Sequence, residues 1–223
     1  MISIIIPVLN EADHVLHVLK PLQKYRGKNL EIIVIDGGSD DSTIDLIKPY
    51  SDIVDVSVKG RAKQMNVGAC KAQGNVLIFL HADTLLPENF IDSVLKGLSK
   101  DGYCWGRFDI SLSGSAFSLR VIEFFINFRS RWSGIATGDQ AIFVNSQTFH
   151  QLGGYQDIPL MEDVALSKNL KQNSLPVCLK DKVITSSRRW EKFGIWRTII
   201  LMWKLRLEYF FGADPHYLAS KYE

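Results

Sequence analysis

The 223-residue chain is 46% hydrophobic and 22% charged, with 26 Lys and Arg set against 24 Asp and Glu. That composition supplies ample apolar material for a globular core, and an excess of two positive charges is too small to argue for a nucleic-acid partner. Three isolated cysteines, Cys70, Cys104 and Cys178, show no metal-ligand spacing and read as reduced thiols of a cytoplasmic protein, outside any disulfide framework.

Residues 2–7 form an apolar run without a basic leader, which reads as a first strand and not as a signal peptide. The polar stretch Val8-Leu9-Asn10-Glu11-Ala12-Asp13 follows, then Val15, Leu16, Val18, Leu19 and Leu22 at helical spacing. A second buried strand over residues 31–36 ends in Asp36-Gly37-Gly38-Ser39. There two glycines permit a tight turn, and Asp40, Asp41 and Ser42 are placed to cap a helix carrying Ile44, Leu46 and Ile47. Residues 53–58 make a weaker third strand. Gly60-Arg61 opens a helix with Met65, Ala69 and Ala72 inward and Gly74 as its stop.

Val76-Leu77-Ile78-Phe79-Leu80 reads as a strand buried on both faces, with His81 and Asp83 two positions apart at its carboxyl end. Extended residues i and i+2 share a face, so these two are expected side by side as metal- or phosphate-handling groups. Pro87 then starts a helix whose buried stripe is Ile91, Val94, Leu95 and Leu98. This alternation predicts an α/β fold with a mostly parallel sheet and helices on both faces. Beyond residue 100 the pattern is less regular. It reads as a strand over 105–112, an apolar helix over 117–128, a loop over 130–138, a short strand over 141–144 and a helix over 162–170. No composition break or repeat divides the chain, so residues 1–190 read as one domain and 191–223 as a C-terminal amphipathic helical extension.

Three polar clusters come directly after apolar strands: Asn10-Glu11, Asp36 with its glycines, and His81-Ala82-Asp83. Each alone is an ordinary cap or turn. Together, acids after successive parallel strands converge on one sheet edge and point to a shared site.

The ordered segments Ser3-Ile4-Ile5-Ile6-Pro7-Val8-Leu9-Asn10-Glu11, Val34-Ile35-Asp36-Gly37-Gly38-Ser39-Asp40-Asp41-Ser42-Thr43 and Gly60-Arg61-Ala62-Lys63-Gln64-Met65-Asn66-Val67-Gly68-Ala69 carry a resemblance. With Leu80-His81-Ala82-Asp83-Thr84 and Glu162-Asp163, the set resembles the inverting, nucleotide-sugar-dependent glycosyltransferases of family 2, which have the GT-A fold. The tail from Arg188-Arg189-Trp190-Glu191 is similar to a bacterial subgroup associated with radical-enzyme gene neighbourhoods.

The resemblance implies transfer of a sugar from a nucleoside diphosphate sugar to an acceptor hydroxyl, with Mg or Mn assisting. It implies Asp83 as the metal-binding acid of an Asp-x-Asp motif whose first acid is here His81, which is a ligand, a ribose or phosphate contact, or a space-filler. Pro7, Glu11, Asp36, Gly37, Arg61, Asn66 and Ala82 would line the nucleotide pocket. Arg61, at a helix start, suits a phosphate and is equally an exposed surface arginine. Arg188 and Arg189 would face the leaving diphosphate. Trp190 stacks on a sugar or simply packs, and Asp139 and Gln140 face the acceptor or only make a turn. Inverting transfer needs a general base. Asp163 is the residue that matches, with Glu162 able to stand in; the plain reading of both is an acidic first helical turn.

Residues 193–211 are interrupted by Arg197, Lys204, Arg206 and Glu208, so they do not span a bilayer cleanly. Trp196, Ile199, Ile200, Trp203, Leu207, Phe210 and Phe211 at helical spacing suit an interfacial helix, peripheral on the inner face of the cell membrane, with a lipid-linked acceptor as one consequence. Packing on the domain or on a second subunit is the alternative. Two other function classes stay open. A sugar nucleotidyltransferase would show a glycine-rich basic loop where Val8-Leu9-Asn10-Glu11 stands, and a non-catalytic nucleotide-sugar-binding protein would tolerate the missing acid.

Overall fold

The computed structural model describes residues 1–222, apart from the side chain of Arg189. The apolar runs build one eight-stranded sheet from β1 (Ile2–Val8), β2 (Leu30–Asp36), β3 (Ile53–Val56), β4 (Val76–Phe79), β5 (Thr84–Leu85), β6 (Trp105–Leu112), β7 (Phe143–Asn145) and β8 (Val177–Thr185). Its spatial order is β3-β2-β1-β4-β7-β6-β8-β5. The first four strands are parallel, with Ile2 beside both Leu30 and Val76. β7 then enters antiparallel between β4 and β6, and β5 pairs antiparallel with β8.

Helices fill the connections: α1 (Val15–Leu22), α2 (Thr43–Ile47), α3 (Arg61–Lys71), α4 (Phe90–Leu98), α5 (Phe117–Ser133), α6 (Ser146–Gln151) and α7 (Glu162–Leu170). Three more follow the sheet: α8 (Arg188–Phe193), α9 (Ile195–Phe210) and α10 (Pro215–Tyr222). Strand alternation divides the core into two layers. Ile4 and Ile6 enter one with Val34 and Leu19, while Ile5 enters the other with Ile33, Ile35 and Met65. Each such fully buried side chain contributes about 1.5–3 kcal/mol of transfer free energy.

The expected alternation is present through β4, and four local expectations are corrected. α3 ends at Lys71, not at Gly74. Gly74 instead lies against β1, where a Cβ would come within 2.7 Å of the Ser3 nitrogen. In α4 the buried positions are Phe90, Val94 and Gly97, and Leu95 is exposed. The helix turns Gly97 towards β8, a strand whose polar Lys180-Asp181-Lys182 hides it in the sequence; a Cβ there would meet Val177 at 2.9 Å. α5 runs past residue 128 to Ser133 because its last turns are anchored: Asn127 Oδ1 accepts the Ile110 N–H at 2.9 Å, and Arg131 pairs with Asp109 at 2.7 Å. It ends at Gly134, which takes the left-handed conformation. β4 ends at Phe79, so His81 and Asp83 stand in a turn, not on a strand.

α3 sits so close to the sheet that a Cβ on Gly68 would lie 2.5 Å from Ile5 Cγ2 and 3.2 Å from Ile35 Cγ1. Gly68→Val is therefore expected to lower unfolding stability by about 2–3 kcal/mol through overpacking, in spite of its better helix propensity. Urea denaturation reads this directly, and an unchanged or raised midpoint contradicts the packing.

Candidate active site at the carboxyl edge of the sheet

The carboxyl ends of β1 and β2 are tied together by a buried amide. Gln64 of α3 donates from Nε2 to the carbonyls of Val8 and Ile35, both at 2.8 Å. Asp36, fully buried at the end of β2, accepts the N–H groups of Gly38 and Ser39 at 2.7 Å and the Ser39 hydroxyl. Gly38 holds φ +91°, which suits glycine. The β1 loop is laced onto this turn. Asn10 donates its N–H to Ser39 Oγ at 2.8 Å, and the Glu11 N–H reaches Thr43 Oγ1 at 2.9 Å. With the Gly37 N–H bonded to the Val8 carbonyl at 2.9 Å, Pro7, Glu11 and Gly37 come together at one edge beside the Asp36 carboxylate. Gly37 itself is pressed on Gln64, whose Oε1 would lie 3.1 Å from a Cβ.

The turn after β4 sends His81 and Asp83 to different neighbours, which corrects their expected pairing. Strand alternation no longer applies once the chain turns, as the Thr84 N–H bonded back to the His81 carbonyl shows (3.1 Å). The His81 ring packs on Gly138, and its Nε2 is sealed from solvent without a hydrogen-bond partner among the described residues. Burial, and then the Arg61 charge, hold its pKa down to about 3, so the imidazole is neutral at physiological pH. Asp83 stays partly open and faces Arg188, whose guanidinium lies 3.4 Å from Asp83 Oδ2 and 4.0 Å from Glu11 Oε2. The Thr84–Thr185 hydroxyl bond at 3.0 Å clamps β5 to β8 and so delivers α8, with Arg188, to this edge. Burial raises the Glu11 pKa; Arg188 opposes it and Asp83 adds to it. The Arg189 side chain lies outside the described residues.

Opposite stands the first turn of α7. Met161 takes φ +68°, and the helix then starts with Glu162 and Asp163. Asp163 accepts the Gly138 N–H and the Val164 N–H, both at 2.7 Å. Glu162 is only 3% exposed and lies 3.6 Å from Arg61. Burial and the Asp163 charge push its pKa up to about 7 against the pull of Arg61. Arg61 in turn is held above its ordinary value: burial would lower it, and Glu162, Tyr222, Asp163 and Asp83 outweigh that. One cation thus shares a neighbourhood with the acids of both walls.

A third set was read only through Asp139, and its two arginines were missed. Asp139 has its Oδ1 buried without a partner among the described residues, and burial raises its pKa against a Thr137 hydrogen bond and the charges of Arg206 and Arg129. Arg129 of α5 has its Nε and one terminal nitrogen buried and likewise unpartnered. Burial, then Arg206, hold Arg129 down to about 10, with Asp139 and Asp163 opposing. Arg129 and Arg206 are cations within apolar helices, and that incongruity was the available signal.

Several expected contacts are redirected inward. Asn66 bridges to Tyr155 through both ends of its amide, at 2.8 and 2.9 Å, so its side chain pins a loop. Gln140 is fully buried; its Oε1 accepts the Thr137 N–H and closes the turn, which takes its side chain away from an acceptor. The Ala82 methyl belongs to the core, and Trp190 packs against the same layer. Among the described residues no group of three or more His, Cys, Asp or Glu could hold a metal. A Mg or Mn ion keeps several waters and is held by one or two carboxylates plus substrate phosphates. Asp83, partly open and facing Arg188, would be one such carboxylate if a cation binds with substrate.

Comparison with known proteins matches this arrangement. The family model for glycosyl transferase family 2 matches residues 3–155. A probable glycosyltransferase of Bacillus subtilis, YdaM, is 25% identical over 219 residues, covering 87% of this chain and 52% of its own length. An uncharacterized glycosyltransferase of Haemophilus influenzae is 32% identical over 104 residues, covering 43% of this chain and 41% of its own. The chain thus spans about half or less of these relatives. Among solved structures, S. aureus TarS 1–349 in complex with UDP-GlcNAc superposes with a TM-score of 0.66 at 15% identity, covering 83% of this chain and 58% of that one. The mannosyltransferase PcManGT of Pyrobaculum calidifontis, in complex with GDP-Man and Mn2+, gives 0.63 at 18% identity, covering 82% and 56%. With the family model matched over more than half of its length and the α/β fold shared with these structures, the chain belongs to glycosyl transferase family 2.

Proposed function

We propose that this protein transfers a sugar from a nucleoside diphosphate sugar to an acceptor hydroxyl, with inversion, at the carboxyl edge of the parallel strands. The paired charges at that edge carry this assignment: Arg188 lies 3.4 Å from Asp83 on the donor side, and Arg61 lies 3.6 Å from Glu162, next to Asp163, on the α7 side. The nucleoside binds where Pro7, Glu11 and Gly37 come together, beside the internally bonded Asp36. Arg188 leaves its ion pair with Asp83 and turns to the diphosphate, where a guanidinium binds paired oxygens well. A divalent cation held by Asp83, when bound, offsets the charge that develops on the leaving diphosphate.

Asp163 takes the proton of the acceptor hydroxyl. Its two backbone hydrogen bonds fix the carboxylate and leave each oxygen able to accept once more. Attack from the side of α7 on a donor held at Asp83 opposes nucleophile and leaving group, which gives inversion. Glu162, paired with Arg61, positions that cation. Asp139, Arg129 and Arg206 lie beyond Asp163 and supply polar contacts to the acceptor.

Screening nucleotide sugars for release of the nucleoside diphosphate tests the activity. UDP-GlcNAc and GDP-Man are the first donors to try, since TarS and PcManGT bind them. Neither binding nor release with any donor would sink the transferase. Asp163→Asn is expected to keep donor affinity by calorimetry while transfer falls by about 10²–10⁴-fold. Full activity in that variant refutes the base. Arg188→Ala should weaken nucleoside diphosphate binding about tenfold, with a smaller loss for the monophosphate; an equal loss for both contradicts a diphosphate contact.

The raised Glu162 pKa also has a stability signature. The folded state holds the proton more tightly than the unfolded chain does, so stability falls as pH rises from about 4.5 through about 7. Relative to the wild type, Glu162→Gln should gain about 1–3 kcal/mol between pH 5 and pH 8 in urea melts. A constant difference across that range shows an ordinary carboxylate.

A further inference from the structure

We propose that α5 and α9 together form a face that lies on an anionic lipid surface. Each helix buries one side and leaves the other apolar. In α9, Thr198 and Leu205 are buried, while Trp196, Ile200, Trp203, Leu207 and Phe210 form an exposed stripe. In α5, Leu119, Ile122 and Ser130 are buried, while Phe117, Val121, Phe124, Phe125, Phe128 and Trp132 face solvent. The exposure is nearly complete at several rings, 82% for Phe117, 84% for Trp132 and 77% for Trp196. The spacings repeat every three or four residues, so both stripes run the length of their helices.

Both helices bury their inner sides in the same core layer, which points their outer stripes to the same side of the sheet. Ser113 and Ser187 are in contact at 3.1 Å just before α5 and α8 begin, and Leu119 and Ile122 of α5 share a core layer with Ile195 and Ile199 of α9. Further along, Arg129 and Arg206 lie within electrostatic reach. α5 and the α8–α9 pair are thus joined where they begin and close over the same core layer. Contiguous exposed apolar surface on this scale marks an interaction face.

Charge identifies the occupant. Of the Lys and Arg on α5, α8 and α9, Lys192, Arg197 and Lys204 are exposed, while Arg120, Arg131 and Arg188 are paired with Glu123, Asp109 and Asp83, and Arg129 and Arg206 face inward. Their acids are withdrawn: Glu123 is buried and paired with Arg120, Glu191 accepts the Ser187 hydroxyl, and Glu208 pairs with Lys221. Lys204 and Arg197 are exposed and flank the α9 stripe. A second copy would bring cations against cations, whereas anionic headgroups complement them while rings enter the acyl boundary. Among the described residues no helix is long and apolar enough to cross a membrane, so the face lies on the bilayer. The face is independent of the transferase reading, and its test uses no donor.

The test is flotation of the full chain with phosphatidylcholine vesicles, with or without about one third phosphatidylglycerol. The expected result is binding to the anionic vesicles alone, weakened by salt. Trp203→Glu on α9 and Phe124→Glu on α5 should each reduce it at least tenfold, with urea midpoints unchanged. Failure to float, or equal binding to neutral vesicles, overturns the proposal. So does full binding by Phe124→Glu, which would leave α9 alone on the surface. A concentration-dependent dimer that both substitutions dissolve, without vesicle binding, assigns the face to a second copy and also overturns it.

Discussion

Parallel strands bring their carboxyl ends to one edge, and in this chain that edge is crowded with acids. Glu11, Asp36, Asp83, Glu162 and Asp163 all stand there, and like charges so placed destabilise one another. Three solutions are visible. Asp36 is consumed by its own loop, bonded to Gly38 and Ser39. Glu11 and Asp83 share Arg188, which arrives from the far end of the chain. Glu162 pairs with Arg61 but is buried beside Asp163, and burial and that neighbouring charge make it hold its proton more tightly in spite of the cation.

The chain order of the edge was legible because buried parallel strands are short apolar runs followed by polar turns. β1, β2 and β4 carry that pattern, and the acids after them follow directly. What the sequence could not supply was direction. His81 and Asp83 are two residues apart, yet the strand stops at Phe79, and the turn sends one ring against Gly138 and the other side chain towards Arg188. Asn66 and Gln140 are polar residues in the right segments whose amides close loops. Arg129 and Arg206 failed the opposite way. Arg129 falls just past the apolar helix read over 117–128, Arg206 was read only as an interruption of an amphipathic segment, and the packing of α5 and α9 turns them towards Asp139. β8 was unread because its middle is Lys180-Asp181-Lys182, a pattern that alternation arguments discard.

The same helices serve two surroundings. The inner sides of α5 and α9 bring Arg129 and Arg206 near Asp139 and Asp163, and their outer sides present rows of aromatic rings to solvent. α10 closes the arrangement, with Leu218 buried against Leu205, Met161 and Val164 beside the first turn of α7. A shift of α9 would thus be felt at the residue assigned as base. The inner cations and the outer apolar stripes are geometrically linked, since a helix that buries one narrow side must show the other.

At the centre of the account is a donor site with a single protein carboxylate, Asp83, completed by the substrate's own phosphates. Loss of the free Mn2+ signal in electron paramagnetic resonance measures this directly. Wild-type protein should take up Mn2+ strongly only when a nucleoside diphosphate is present, and Asp83→Asn should abolish that uptake. Equally tight Mn2+ binding without nucleotide, or undiminished uptake by Asp83→Asn, would contradict it.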